Sequence, residues 1–532
     1  MPLPRTAVQN RGCRVPHSPA AVTAAVHSFR SPARLVLDAS SGSTGVLLAE
    51  QETGGLQVIG SLPALYPEWL GDRSFTAAHG TRFAYVAGEM ANGISSVPLV
   101  TAMSRAGFMA FFGAAGLASD RVSKAVQQLR TGLGGSRNWG VNLIHNPMEP
   151  GAEEAIADLL IRSEVPCVST SAFMDLTPSV VRCAVAGLRL DGAGRIVRGR
   201  RIFAKVSRPE TARLFMSPPP GDLLEGLLRS AQLTEDEVRL AARIPVATDV
   251  TAEADSGGHT DNRPLVSLLP VLSQLRNTLV AEHGFEEPVR IGAAGGLGTP
   301  QSLAAAFAMG AAYVVVGSVN QGCVESALSA RGKSMLAGAD LADVTMAPAA
   351  DMFELGINVQ VLRRGSLFPG RARQLYTLYE TYGGVDELPR DVRERLEQHV
   401  LGASLAEVWH QTRAFWNERD PREVRRAEQE PKHRMALMFR WYLGNASRWA
   451  IEGTTERATD FQIWCGPAMG AFNRWTAGSF LADPAERTVV QVALNLMEGA
   501  AVVTRAHQLG ACGLAVPTAA YSCSPRRLSL PV

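Results

Sequence analysis

The run Glu253-Ala254-Asp255-Ser256-Gly257-Gly258-His259 concentrates much of the chemistry of this chain in one short stretch. A second glycine run, Gly292-Ala293-Ala294-Gly295-Gly296-Leu297-Gly298, lies less than one βα unit downstream. Glycine lets a backbone approach an oxyanion closely, and a helix N-terminus offers unpaired N–H groups at the positive end of its dipole. Two such turns at the ends of neighbouring parallel strands make a phosphate cradle. Gly317-Ser318 supplies a third turn of the same kind. One glycine turn alone is weak evidence, but three on consecutive strands point to an anion. His259 directly follows the Gly257-Gly258 pair. It can transfer a proton near neutral pH or donate a hydrogen bond to a carbonyl oxygen, although a lone histidine is commonly structural. Asp261, Asn262 and Arg263 come next and can orient it or cap the following helix.

Three further positions suit contact with a flat ring or an anion. Gly88-Glu89-Met90-Ala91-Asn92-Gly93-Ile94 is a polar turn that can lay backbone against a ring, or serve as an ordinary βα turn. Asn142 sits in the apolar stretch Val141-Asn142-Leu143. Its amide offers a donor and an acceptor, which suits the mixed edge of a heterocycle; the plainer reading is a buried amide satisfied by backbone. Lys205 lies in Phe203-Ala204-Lys205-Val206, and a lysine in an apolar strand needs an anionic partner. That partner is either a bound cofactor or phosphate, or Glu253 or Asp255 in a salt bridge. Cys323 reads as a small buried residue.

The elements that must position these residues are legible in the apolar rhythm from residue 84 onward. Short apolar runs alternate with helical segments, the pattern of a parallel α/β sheet. The strand candidates are Ala84–Gly88, Phe108–Gly113, Gly140–Ile144, Val165–Thr170, Ile202–Val206, Val250–Ala254, Val289–Ala293 and Tyr313–Gly317. Eight βα units predict a TIM-type (β/α)8 barrel, with its site at the strand C-terminal ends and a phosphate near the last strands. Around the barrel, residues 1–32 read as a flexible leader rich in Pro, Ala and Ser, and 33–83 as a small N-terminal region. The barrel spans 84–330 with a helical insertion at 207–243. A large, mostly helical region covers 331–480 and holds six of the eight tryptophans, Trp409 through Trp475. Residues 481–515 predict a C-terminal helix packing on the barrel, and 516–532 a tail.

The chain has 532 residues, 46% hydrophobic and 19% charged, with a net charge of +2. These values fit a globular enzyme and give no global pull toward nucleic acid. The seven cysteines are scattered, with no CxxC pair and no zinc-type Cys/His spacing, so no metal is expected. Ala304–Gly317 is too short for a membrane span, and the N-terminus lacks an apolar signal core. The expectation is a cytoplasmic protein that binds neither nucleic acid nor membrane.

Glu253–His259, Ile291–Gly298 and Val316–Ser318 resemble the FMN-dependent barrel superfamily of nitronate monooxygenases (2-nitropropane dioxygenases) and flavin-type bacterial enoyl reductases. A resemblance over roughly residues 56–515 is more specific. Leu62–Gly71, Ser171–Pro178, Ala347–Glu354, Phe439–Gly444 and Gln462–Gly470 are similar to the trans-acting enoyl reductases of polyunsaturated fatty acid and trans-acyltransferase polyketide synthases. The resemblance implies bound FMN, NADPH as hydride donor, and an enoyl thioester carried by an acyl carrier protein. It implies Met90, Ala91 and Asn92 against the flavin ring, Asn142 at the ring edge and Lys205 near its N1/C2 side. It implies Gly257, Gly258, Gly295, Gly296, Gly317 and Ser318 around the phosphate. His259 matches the base of the nitronate monooxygenases; in an enoyl reductase it would orient the thioester carbonyl or supply the α-proton. The alternatives are a nitronate monooxygenase using O2, and a flavin-holding assembly partner without chemistry. The oligomeric state to test is a homodimer.

Overall fold

The computed structural model describes residues 16–145 and 150–530. A small antiparallel sheet comes first, from β1 (Ala33–Asp38), β2 (Ser43–Leu48) and β3 (Gln57–Leu62), in the order β2-β1-β3. The barrel follows with β4 (Tyr85–Ala87), β5 (Met109–Phe112), β6 (Trp139–Ile144) and β7 (Cys167–Ser171). A two-stranded hairpin, β8 (Arg189–Leu190) and β9 (Ile196–Val197), precedes β10 (Arg201–Val206) and β11 (Asp249–Glu253). The short β12 (Gly258–His259) leaves the barrel, which β13 (Arg290–Ala294) and β14 (Val314–Val316) complete. The eight strands β4, β5, β6, β7, β10, β11, β13 and β14 close into a parallel barrel. Val314 pairs with Tyr85 where the last strand meets the first. The strands are apolar almost without alternation because the barrel interior covers one face and helices cover the other.

All eight expected strands form, within a residue or two of their predicted bounds at either end. The eighth barrel helix does not follow β14 directly. Helix Val489–Ala511 packs between helix Pro300–Ala308 and helix Val97–Arg105 after a long excursion. It is long and apolar enough to cross a membrane, yet 78% of its apolar window is buried inside the protein. The insertion at 207–243 forms helices Pro209–Met216, Gly221–Arg229 and Glu235–Ala241.

Two expectations need correction. The part of the leader at 1–15 lies outside the described residues, but 16–32 is not a frayed segment. Ser18 caps helix Pro19–His27, whose Val22, Ala25 and Val26 are buried, and Phe29 joins the same core. Small Ala and Val residues here form a helix face against helix Val489–Ala511. The tail is also packed: Trp475 donates its ring N–H to the carbonyl of Cys523 at 2.7 Å, and Asn495 brackets Arg526.

The excursion is mostly helical, but it also carries β15 (Val344–Pro348) and β16 (Asn358–Leu362). Gly258 and His259 pair antiparallel with Gln360 and Val359 of β16, giving a three-stranded sheet β12-β16-β15. The turn after β11 is therefore built into the excursion. At the opposite, N-terminal end, the barrel is plugged by a sealed ion cluster. Arg290 Nε donates to Asp249 Oδ1 at 2.6 Å, and His79 Nε2 lies 3.0 Å from Asp249 Oδ2.

Candidate active site

The C-terminal ends of the strands open into a cavity of about 840 Å³, roofed by the excursion. All of the residues expected at the site line it: Met90, Ala91, Asn92, Asn142, Lys205, Gly257, Gly258, His259, Gly295, Gly296, Gly317 and Ser318. They converge because each lies at, or just past, the C-terminal end of a barrel strand.

After β4 the chain turns through Met90-Ala91-Asn92. Asn92 adopts a left-handed backbone with φ 57°, which asparagine tolerates better than most residues. Its side chain donates to Ser447 Oγ at 2.9 Å, tying the turn to the roofing helix Pro431–Glu452. On β6, Asn142 donates its amide to the carbonyl of Ser169 at 3.1 Å and to Ser171 Oγ at 2.9 Å. Its nitrogen is thus occupied, and what it offers the cavity is its oxygen.

Lys205 has two carboxylate partners. Its Nζ lies 3.0 Å from Glu89 and 3.1 Å from Glu253, with all three side chains largely buried. Burial pulls the ammonium pKa down, but Glu253 and Glu89 outweigh it and hold the pKa above the ordinary lysine value. The expected alternative partner, Asp255, is taken instead by Gln360 and Asn262, at 2.7 and 2.8 Å.

The glycine turns divide into two kinds. A Cβ on Gly257 would sit 2.9 Å from Cys465 N and 3.0 Å from Gly466 N; one on Gly295 would sit 2.6 Å from the carbonyl carbon of Ala254. These two glycines permit close packing of neighbouring segments. Gly296 and Gly317 have nothing within 4 Å of their Cβ positions and face open space. Ser256, which lines the same cavity, has its Oγ buried without a hydrogen-bond partner among the described residues. Two unobstructed glycine turns and an orphaned hydroxyl in one cavity lining suit an anion with several acceptor oxygens, such as an FMN phosphate.

His259 is fixed by its β12 pairing. Its Nε2 is sealed from solvent, and the group nearest it is Asp351 Oδ1 at 3.4 Å, too poorly aligned for a hydrogen bond. About a third of each side chain remains accessible, to the cavity. Burial lowers the imidazole pKa, but Asp351 and then Glu253 outweigh it, so the net shift is upward. Burial likewise raises Asp351, and His259 more than reverses this.

The roof adds an apolar wall of Phe415, Trp416, Leu437, Trp441 and Ile451, and the cationic Arg419, Arg440 and Arg448. Sequence reasoning did not single out Glu89 or Asp351 as functional residues. Glu89 sits inside the turn Gly88–Ile94, and Asp351 inside the string Ala347–Glu354; both strings drew attention for other reasons.

The solved enoyl reductase domain of MlnA, from the macrolactin biosynthesis cluster of Bacillus amyloliquefaciens, is 35% identical. The match has a TM-score of 0.79 and covers 84% of this chain and 99% of that domain. One of the polyunsaturated fatty acid synthase proteins of Thraustochytrium sp. is 44% identical over 448 residues, which is 83% of this chain and 30% of that protein. Polyketide biosynthesis protein PksE of Bacillus subtilis is 41% identical over 436 residues, 82% of this chain and 56% of that protein. The chain thus spans between about a third and just over half of these two relatives. Residues 382–461 match the family model of the inserted helical domain of acyl-carrier-protein S-malonyltransferase.

Proposed function

The chain belongs to the family of the MlnA enoyl reductase domain, and on that premise we propose that it is an FMN-dependent, NADPH-using enoyl reductase. Its substrate is an α,β-unsaturated acyl thioester on an acyl carrier protein, in polyketide or polyunsaturated fatty acid biosynthesis in the cytoplasm. The carrying observation is the convergence of an open glycine cradle, an amide edge and a carboxylate-flanked imidazole on one roofed cavity.

When bound, FMN supplies hydride transfer from NADPH to an electron-poor alkene. The chain's own residues do the rest. Gly258, Gly296, Gly317 and Ser318 would hold the phosphate, while Gly257 and Gly295 let the flanking segments pack closely beside it. The turn Met90-Ala91-Asn92 would lie against the ring, and Asn142 would accept from its edge through Oδ1. Lys205, fixed between Glu89 and Glu253, sets the charge beside the ring. His259 faces the thioester. A donor there stabilises negative charge developing on the carbonyl oxygen and can deliver the α-proton. The roof excludes water, which strengthens each of these interactions.

Anaerobic titration of the purified protein tests this reading. A yellow protein bleached by NADPH and recoloured by a crotonyl thioester is the expected result. Oxygen-dependent turnover of a nitroalkane without NADPH would make it a nitronate monooxygenase. A colourless protein that takes up no FMN would leave only an assembly role.

A further inference from the structure

His259 and Asp351 are held by the same small sheet. His259 lies on β12, which pairs with Val359 of β16, and Asp351 lies in the loop between β15 and β16. That loop is anchored just beyond the aspartate. Phe353 is fully buried against Tyr376 and Tyr379, and Glu354 accepts from Arg440 at 3.3 Å. The carboxylate is therefore a placed group, not a mobile surface one. It comes from the excursion, so the barrel alone would present His259 without it.

The two imidazole nitrogens differ. Nε2 is sealed and turned toward Asp351 Oδ1 at 3.4 Å. Nδ1 hydrogen-bonds to none of the described residues, and the ring lines the cavity. Catalytic contacts are commonly long or poorly aligned in a ligand-free site and tighten into hydrogen bonds when the substrate binds.

The surrounding charge favours a protonated ring. Asp351 faces it from the β15–β16 loop, Glu253 from β11, and Lys205 from β10 with Glu89 at its other side. Arg440 stands near Asp351 from the roofing helix but is engaged by Glu354. Val359 and Trp464, which also line this part of the cavity, carry no charge. Three carboxylates surround one ammonium, so an imidazolium reduces a local excess of negative charge.

We propose that Asp351 is the positioning residue that holds His259 as a proton donor, with Nε2–H toward the carboxylate and Nδ1–H toward the substrate α-carbon. This rests on the enoyl reductase reading. As hydride from the nicotinamide–flavin pair reaches the β-carbon, the alkene π electrons take the Nδ1 proton at the α-carbon. The N–H bond breaks, a C–H bond forms, and the imidazolium becomes neutral imidazole, reprotonated from solvent before the next turnover.

The test is a titration of the FMN-loaded protein labelled with 15N-histidine, with the His259 signal assigned by His259→Gln. In Asp351→Asn the imidazole pKa should fall by about one unit or more, and in Asp351→Glu it should largely return. Reoxidation of NADPH-reduced enzyme by an enoyl thioester should slow by about tenfold near pH 8 in Asp351→Asn, the loss growing with pH. An unchanged His259 titration in Asp351→Asn overturns the proposal. A shifted titration in a protein that no enoyl thioester reoxidises confirms the pairing and overturns its use on an enoyl.

Discussion

Gly257 and Gly466 meet backbone to backbone at the seam between barrel and excursion. A Cβ on Gly466 would lie 2.8 Å from Gly257 N, and one on Gly257 would lie 3.0 Å from Gly466 N. Gly466 also donates its N–H to Ser318 Oγ at 3.0 Å, so the seam reaches the Gly317-Ser318 turn after β14. Both obstacles are main chain and cannot rotate away. Gly466→Ala should cost about 1–3 kcal/mol, the usual penalty of overpacking. A thermal melt checks this, and a midpoint equal to wild type would show that the seam has room.

Gly317 is the contrasting case. It has open space around its Cβ position and a negative φ of −114°, outside the left-handed region that favours glycine. Gly317→Ala should leave the stability of the flavin-free protein within about 0.5 kcal/mol of wild type. The methyl group would instead intrude on the anion, and FMN affinity should drop about tenfold, or about 1.4 kcal/mol. Fluorescence titration with FMN measures it. Unweakened binding would move the phosphate away from this turn.

These two glycines show what was legible in the sequence and what was not. Short continuous apolar runs set between helical segments are a local signal, and they sufficed for all eight barrel strands. Candidate residues at strand ends could be read because the barrel topology brings every such end to one face. The division of the glycines into packing and open ones was not legible. It depends on Cys465 and Gly466, some two hundred residues away in sequence, and on no local signal. Asp351 was missed for the same reason, since its meaning arises only where β12 pairs with β16. The expected frayed leader failed because propensity within 16–32 says nothing of the helix Val489–Ala511 that buries it.

Lys205 between Glu89 and Glu253 predicts a pH-dependent penalty. A raised lysine pKa contributes stability that is complete below the unfolded value of about 10.4 and lost only as pH rises through the higher folded value. The wild type therefore shows no slope from this group between pH 6 and 9. Lys205→Met leaves two carboxylates buried with no counter-charge, a loss of about 3–5 kcal/mol. Acidification should restore part of it, as one glutamate takes up a proton. Melts at pH 8 and pH 5 check this. An equal deficit at both would mean that the cost is packing alone.

The sealed cluster at the barrel's N-terminal end sets the acid side. Burial pushes the Asp249 carboxyl up, but His79 and Arg290 outweigh it and hold it far below the ordinary range. For His79, burial outweighs Asp249 and keeps the folded pKa below 6.5. Both depressed values act in one direction. Each contributes stability present above its unfolded pKa and lost as pH falls through the folded one. Stability should begin to fall below about pH 6.5 through His79, and fall again below about pH 4 through Asp249. Denaturant midpoints across pH 3.5–7.5 measure this, and His79→Gln should remove the upper step. If the upper step persists in that variant, a different histidine carries it.

Asn92 and Ser447 join the Met90-Ala91-Asn92 turn to the roof. The 2.9 Å hydrogen bond runs from a residue already held at φ 57° to the roofing helix Pro431–Glu452. Ser447 is buried, at 3% exposure, so its loss leaves the Asn92 amide without this partner and away from bulk water. Removing such a bond costs about 1 kcal/mol, a factor of about five in the population of an opened roof. A roof that excludes water also slows the entry of dissolved oxygen, and this makes a specific demand. In FMN-loaded Ser447→Ala, NADPH-dependent oxygen consumption without enoyl substrate should rise up to about fivefold. Ser447→Thr keeps the hydroxyl and should stay closer to wild type. An oxygen electrode reads both, and equal consumption in wild type and Ser447→Ala would mean that the roof is held shut elsewhere.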